Sequence, residues 1–177
     1  MRRLLLLRHA KTERDSATGK DRDRCLETRG QEDAPKMGTY MARHGIVPEM
    51  ALISPATRTQ QTWGLLRAQW PMPPIFATRE NLYNADMGVL LSTVHQTPNE
   101  IGCLLILGHN PGLHELAMML IADGHAADRR ELEYNLPTAG LVVIDHDAKD
   151  WRDVVARSGR LDRFVTPKTL PQTDAAE

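Results

Sequence analysis

Leu4-Leu5-Leu6-Leu7-Arg8-His9-Ala10 opens with four aliphatic residues and then stops abruptly on an arginine and a histidine. Every position of Leu4 to Leu7 is apolar, the signature of a central strand covered on both faces rather than one side chain in two. Two further runs behave alike: Ala51-Leu52-Ile53 ends in Ser54-Pro55, and Leu104-Leu105-Ile106-Leu107 ends in Gly108-His109-Asn110-Pro111. Longer segments of helical period separate these runs. Such alternation predicts an α/β domain with a mainly parallel sheet.

Working outward, helices are expected over about Thr28 to His44, Pro55 to Gln69, Met87 to Val94 and Leu113 to Ala122. Pro35 either kinks the first of these or marks a later start near Asp33, and Gly45 is its stop. Strands are expected at Met50 to Ile53, Ile75 to Ala77, Cys103 to Leu107, Gly140 to Ile144 and Val154 to Leu161. The last two are expected to pair antiparallel at one edge. The whole reads as a single-domain three-layer α/β/α sandwich over residues 1–170, followed by a flexible tail, 171–177.

Composition narrows the function. Of 177 residues, 41% are hydrophobic and 25% charged, enough to bury a core. Lys+Arg 22 against Asp+Glu 23 leaves a net charge of -1, which argues against a nucleic-acid binder. The apolar runs are too short to span a membrane, and Met1-Arg2-Arg3 before the leucines lacks the makings of a signal peptide. Cys25 and Cys103 make neither a disulfide framework nor a zinc pattern. A cytoplasmic monomer without cofactor is expected.

In open α/β sheets, ligands bind beyond the carboxyl ends of the strands. Arg8, His9, Arg58 and His109 would then converge on one crevice. Ser54 and Asn110, each followed by proline, are expected as helix N-caps, whose free N–H groups favour anions. The set suits phosphate, because arginine forks hold its oxygens bidentately. A histidine in such company can attack phosphorus through a ring nitrogen if the imidazole is neutral, and neighbouring cations favour that form. The second histidine is expected protonated, as one more donor. Metal binding by His9, His109 or His114 is the competing use, but the arginines would repel a cation and no His-Glu-x-x-His spacing is present.

Arg8-His9-Ala10, Ser54-Pro55-Ala56-Thr57-Arg58-Thr59-Gln60-Gln61-Thr62 and Gly108-His109-Asn110-Pro111 together resemble the motifs of the histidine phosphatase superfamily. The short length, Arg24-Cys25-Leu26-Glu27-Thr28-Arg29-Gly30 and the segment Gly159-Arg160-Leu161 to Pro167 resemble its SixA-like phosphohistidine phosphatases, over residues 3–170 in all. The resemblance implies a phosphoglycerate mutase-like fold, a metal-independent mechanism and His9 as the residue that becomes phosphorylated. Arg8, Arg58 and His109 would hold the phosphoryl group, helped by the backbone N–H of Asn110. Two carboxylates compete for the role of general acid, Asp21 and Glu80. Cys25 stands where proline is common in that loop. The expected substrate is phosphohistidine on a signalling protein. Small phosphorylated metabolites, or phosphate recognition without turnover, are the alternatives.

Overall fold

The computed structural model describes residues 1–170, so the tail expected at 171–177 lies outside the described residues. The first apolar run forms β1 (Arg2–Arg8), in which Leu4 to Leu7 are all 0% exposed. Its neighbours explain why. Parallel strand β4 (Cys103–Gly108) lies on one side and antiparallel β6 (Leu141–His146) on the other. Helices then cover both faces. Leu4 and Leu6 pack with Leu104, Ile106, Val142 and Ile144 under α3 (Met87–His95) and α4 (Gly112–Leu120). Leu5 and Leu7 pack with Leu105, Leu107 and Val143 under α1 (Thr28–Arg43) and α2 (Thr57–Arg67). Alternate leucines of one strand thus feed two separate cores, as the pleat requires.

With β2 (Met50–Ile53), β3 (Ile75–Thr78), β5 (Ile121–Gly124) and β7 (Gly159–Val165), the sheet has 7 strands in the order β3-β2-β4-β1-β6-β7-β5. The three-layer, mostly parallel architecture read from the sequence is the observed one. β6 and β7 do pair antiparallel, but β6 is the reversed strand and lies inside the sheet, between β1 and β7. The edge on that side is β5, paired parallel to β7.

Most differences fall in this half. α4 stops at Leu120 instead of continuing to Ala122, and the next four residues form β5. Ile-Ala-Asp-Gly is too short for its pairing to be visible locally; the partner strand arrives some forty residues later. α5 (Ala126–Tyr134) buries only Leu132, so it carries no stripe to read. The last strand runs over Gly159–Val165, not Val154 to Leu161. Trp151 and Val154 are core residues supplied by a turn, and Arg160 and Arg163 interrupt the apolar pattern of the true strand. α1 begins at Thr28 and carries Pro35 inside it, and Gly45 ends it with φ +65°.

Two glycines set the loops that matter below. A Cβ on Gly30 would lie 2.1 Å from the carbonyl oxygen of Lys11, so only glycine lets the start of α1 press against the loop after β1. Gly112 does the same for α4, with 2.1 Å to the carbonyl oxygen of Ala85. Both close approaches face the same end of the sheet.

Candidate active site

Strand register brings the site together. β4 lies between β1 and β2, with Arg8 opposite Gly108 and Ile53 opposite Leu107. The chain leaving β1 stays in step, since the His9 N–H donates to the Gly108 carbonyl at 3.1 Å. Leaving β2, the Ser54 N–H donates to the Leu107 carbonyl at 3.0 Å. His9, His109 and Ser54 therefore sit at adjacent strand ends. The two imidazole centroids are 5.4 Å apart. Arg58, in the first turn of α2, is 4% exposed and completes the group.

Ser54 and Asn110 do not act as N-caps. α2 is capped by Ala56 and α4 by Pro111, neither through a side chain. Ser54 Oγ instead lies 2.6 Å from His109 Nε2. The Asn110 side chain donates to the Leu136 carbonyl at 2.9 Å, beside Arg8 Nη1 at 3.0 Å on the same oxygen. Leu136 thereby fixes one wall of the site, and Asn110 still lines the cleft.

The tautomer of His9 follows from its partner. Nδ1 lies 2.8 Å from the Ala10 carbonyl oxygen, which can only accept, so Nδ1 carries the hydrogen. Nε2 is left with its lone pair. Burial, and then Arg58, Arg8 and Arg24, push the His9 pKa down to about 4 against the backbone bond to Ala10. The ring is therefore neutral at neutral pH, with a free lone pair on Nε2. His109 is held down to about 3 by burial, Arg58 and His9. Burial and the neighbouring cations thus oppose the protonation expected of the second histidine. Ser54 Oγ holds the ring at Nε2, and Nδ1 is buried without a hydrogen-bond partner.

These residues wall a cleft of about 350 Å³ that contains Arg8, His9, Asp21, Arg58, His109 and Asn110. Asp21 comes from a short 3₁₀ turn, Asp21–Asp23, in the loop after β1. Its carbonyl oxygen accepts from Arg58 Nη1 at 2.8 Å and its Oδ2 from Arg58 Nη2 at 3.0 Å. Oδ2 also accepts from the Tyr83 hydroxyl at 2.8 Å, and Oδ1 from Arg24 at 2.9 Å. Partial burial opposes ionisation, yet the bonds from Tyr83 and Arg24 and the charge of Arg58 bring Asp21 down to about 2. Asp21 thus holds no proton to donate at neutral pH. Glu80 is no substitute. Its side chain is 74% exposed, pairs with Arg22 at 2.9 Å, and does not line the cleft, because the turn that carries it faces outward. Neither carboxylate is placed as a neutral acid.

Sequence reasoning missed other groups on the wall. Lys11, Thr12, Arg24, Asn84 and Thr138 line the cleft. Tyr83 sets its ring edge-on to His109 at 5.7 Å and lies 6.0 Å from the Arg58 guanidinium. Arg24 stood inside the Arg24 to Gly30 segment, and that placement was the one available signal. Lys11 and Thr12 depend on the loop packed against Gly30, and Tyr83 and Asn84 adjoin the Ala85 contact of Gly112. Among the described residues no group of three His, Cys, Asp or Glu side chains is arranged to hold a metal ion.

A family model of the histidine phosphatase superfamily (branch 1) matches residues 4–101, which include Arg8, His9 and Arg58. The chain belongs to that superfamily. A relative in Mycobacterium tuberculosis, itself uncharacterized, is 30% identical over 164 residues, covering 92% of this chain and 100% of the relative. Among solved structures, the Agrobacterium tumefaciens protein assigned as the phosphohistidine phosphatase SixA superposes with TM-score 0.79 at 26% identity, over 94% of this chain and 98% of that one. An Escherichia coli protein assigned as an alpha-ribazole-5'-P phosphatase superposes with TM-score 0.60 at 17% identity, over 94% and 98%. The second comparison shows shared fold alone. As a histidine phosphatase superfamily member, the chain has the scaffold of a phosphatase. No described helix is long and apolar enough to cross a membrane.

Proposed function

We propose that this protein is a metal-independent phosphatase that works through a phosphohistidine formed on His9, and that its substrate is phosphohistidine carried by another protein. The observation that carries the reading is the His9 ring, neutral, with Nδ1–H committed to Ala10 and Nε2 free, set among Arg8, Arg58 and His109. In the first step the Nε2 lone pair forms a bond to phosphorus while the bond to the leaving group breaks. Arg8, Arg58 and His109 bind the phosphoryl oxygens and stabilise the charge spread over them. Asn110 lines the same cup. In the second step a water oxygen attacks phosphorus, the bonding pair returns to Nε2, and inorganic phosphate leaves.

The leaving group separates the candidate substrates. An alkoxide needs a well-placed acid, whereas imidazole leaves from a labile P–N bond and is easily protonated by solvent. With Asp21 ionised and Glu80 facing outward, the site favours the second. The likeness to the SixA protein points the same way. A cleft of about 350 Å³ is within the range of small-molecule sites, so hydrolysis of a small phosphorylated metabolite is the second reading. The test is kcat/KM for a phosphohistidine-bearing phosphotransfer protein beside a panel of sugar phosphates, with and without chelator. Preference for the protein, insensitive to chelator, is expected. Preference for a sugar phosphate would replace the protein reading with the metabolite one, and binding without turnover of either would leave only phosphate recognition.

A further inference from the structure

Asp21 is a charged side chain without a part in the two steps above, yet it is held by three side chains. In-line displacement puts the leaving group opposite the attacking atom. His9 and His109, 7% and 4% exposed, form the floor, whereas the Asp21 side chain is 46% exposed at the mouth. Asp21 is thus a charged group that a leaving group moving from the floor to the mouth can meet. Of the carboxylate's four or so acceptor positions, Arg24 takes one on Oδ1, and Arg58 and Tyr83 take two on Oδ2. One on Oδ1 is left.

We infer that Asp21 is a specificity residue: a fixed carboxylate that accepts the distal N–H of a protonated N-phosphoryl imidazole and penalises leaving groups that depart as anions. The inference rests on the phosphohistidine reading and names what selects for it. When the substrate ring is protonated on its distal nitrogen, the P–N bonding pair moves onto the proximal nitrogen and cancels the ring's positive charge. Neutral imidazole leaves with the N–H it already had, so no proton is asked of the protein. An anion beside that N–H keeps the ring in its protonated, reactive form near neutral pH, where free imidazole, pKa ~6.5, is largely unprotonated. The same anion raises the energy of a phenolate or alkoxide as it forms. Lys11 and Arg24 also line the mouth. Arg24 is already paired with Asp21, which limits its pull on an anionic leaving group.

The test compares Asp21→Asn with wild type on N-phosphoimidazole and on p-nitrophenyl phosphate, and measures inhibition by inorganic phosphate. The expected result is a fall of about 10-fold in the ratio of kcat/KM for phosphoimidazole over the aryl ester, as for loss of a charge-assisted hydrogen bond. Phosphate should inhibit the variant more strongly, since an anion beside Arg58 has been removed. Asp21→Glu should restore part of the ratio. An equal loss on both substrates, a larger loss on the aryl ester, or no activity of the wild type on phosphoimidazole would overturn the inference. A shifted ratio in an enzyme inert toward a phosphohistidine protein would instead overturn the protein-substrate reading and leave the role of Asp21 standing.

Discussion

Ser54 Oγ lies 2.6 Å from His109 Nε2, and both residues are buried, at 0% and 4% exposure. The contact crosses from the end of β2 to the end of β4 and joins two segments 55 residues apart. It decides what His109 offers the cleft. With the serine as donor the ring hydrogen sits on Nδ1, and with the serine as acceptor it sits on Nε2; Nδ1 has no other partner. Ser54→Ala should therefore lower kcat/KM on p-nitrophenyl phosphate about 10-fold, in line with ~1–2 kcal/mol for a buried hydrogen bond. Imidazole nitrogen shifts of His109 should show mixed tautomers in the variant. An unchanged rate would place Ser54 outside the machinery.

His9→Ala should abolish acid-labile, base-stable phosphate trapped on the protein after brief exposure to substrate. The side chain packs no hydrophobic core, so the melting temperature at neutral pH should stay within a few degrees of wild type. Labelling of the variant at the wild-type level would remove His9 from its role.

Arg58→Ala should weaken inhibition by inorganic phosphate by ~1.5–3 kcal/mol, roughly 10- to 100-fold, because a charge-assisted bond to the anion is lost. Arg58→Lys should recover part of this, the lysine providing charge without the fork. Inhibition that ignores both changes would mean that phosphate binds elsewhere.

The pH dependence follows from two lowered histidine values, about 4 for His9 and about 3 for His109. The proposed attack uses neutral His9, so kcat/KM should be flat with respect to it above pH 5 and fall as pH drops through about 4. Stability moves the same way. Both groups bind protons more readily unfolded, near pH ~6.5, so their contribution is present above that value and is lost as pH falls toward their folded values. Thermal melts between pH 7 and 4 should show wild type losing more stability than His9→Asn. Equal losses would put the folded pKa of His9 near its ordinary value.

Gly30→Ala puts a methyl group where the Lys11 carbonyl oxygen is 2.1 Å away, so the loop carrying Lys11, Thr12 and Asp21 must retreat from α1. A loss of ~1–3 kcal/mol in unfolding free energy is expected, as for overpacking elsewhere. A larger relative loss in phosphate affinity should accompany it. Chemical denaturation together with phosphate titration checks both.

Much of this molecule is legible in the chain. The leucines of β1, the matching runs of β2 and β4, and the residues ending them mark the sheet centre and four of the site's groups without any contact being seen. The far half of the sheet is less so. β5 acquires its identity only from β7, and α5 buries one leucine. Tyr83 belongs to the same class, since nothing near Leu82-Tyr83-Asn84 points to a roof over His109.

Strand identity, the two-faced burial of β1 and the presence of two arginines and two histidines are local properties, set by which side chains stand next to which along the chain. Protonation and partnership are not local. That His9 is neutral, that Ser54 turns to His109 rather than capping α2, and that Asp21 is ionised while Glu80 faces Arg22 all depend on charges and acceptors brought in from distant segments. Electrostatic energy is governed by distance and burial in space, and only the folded chain defines either.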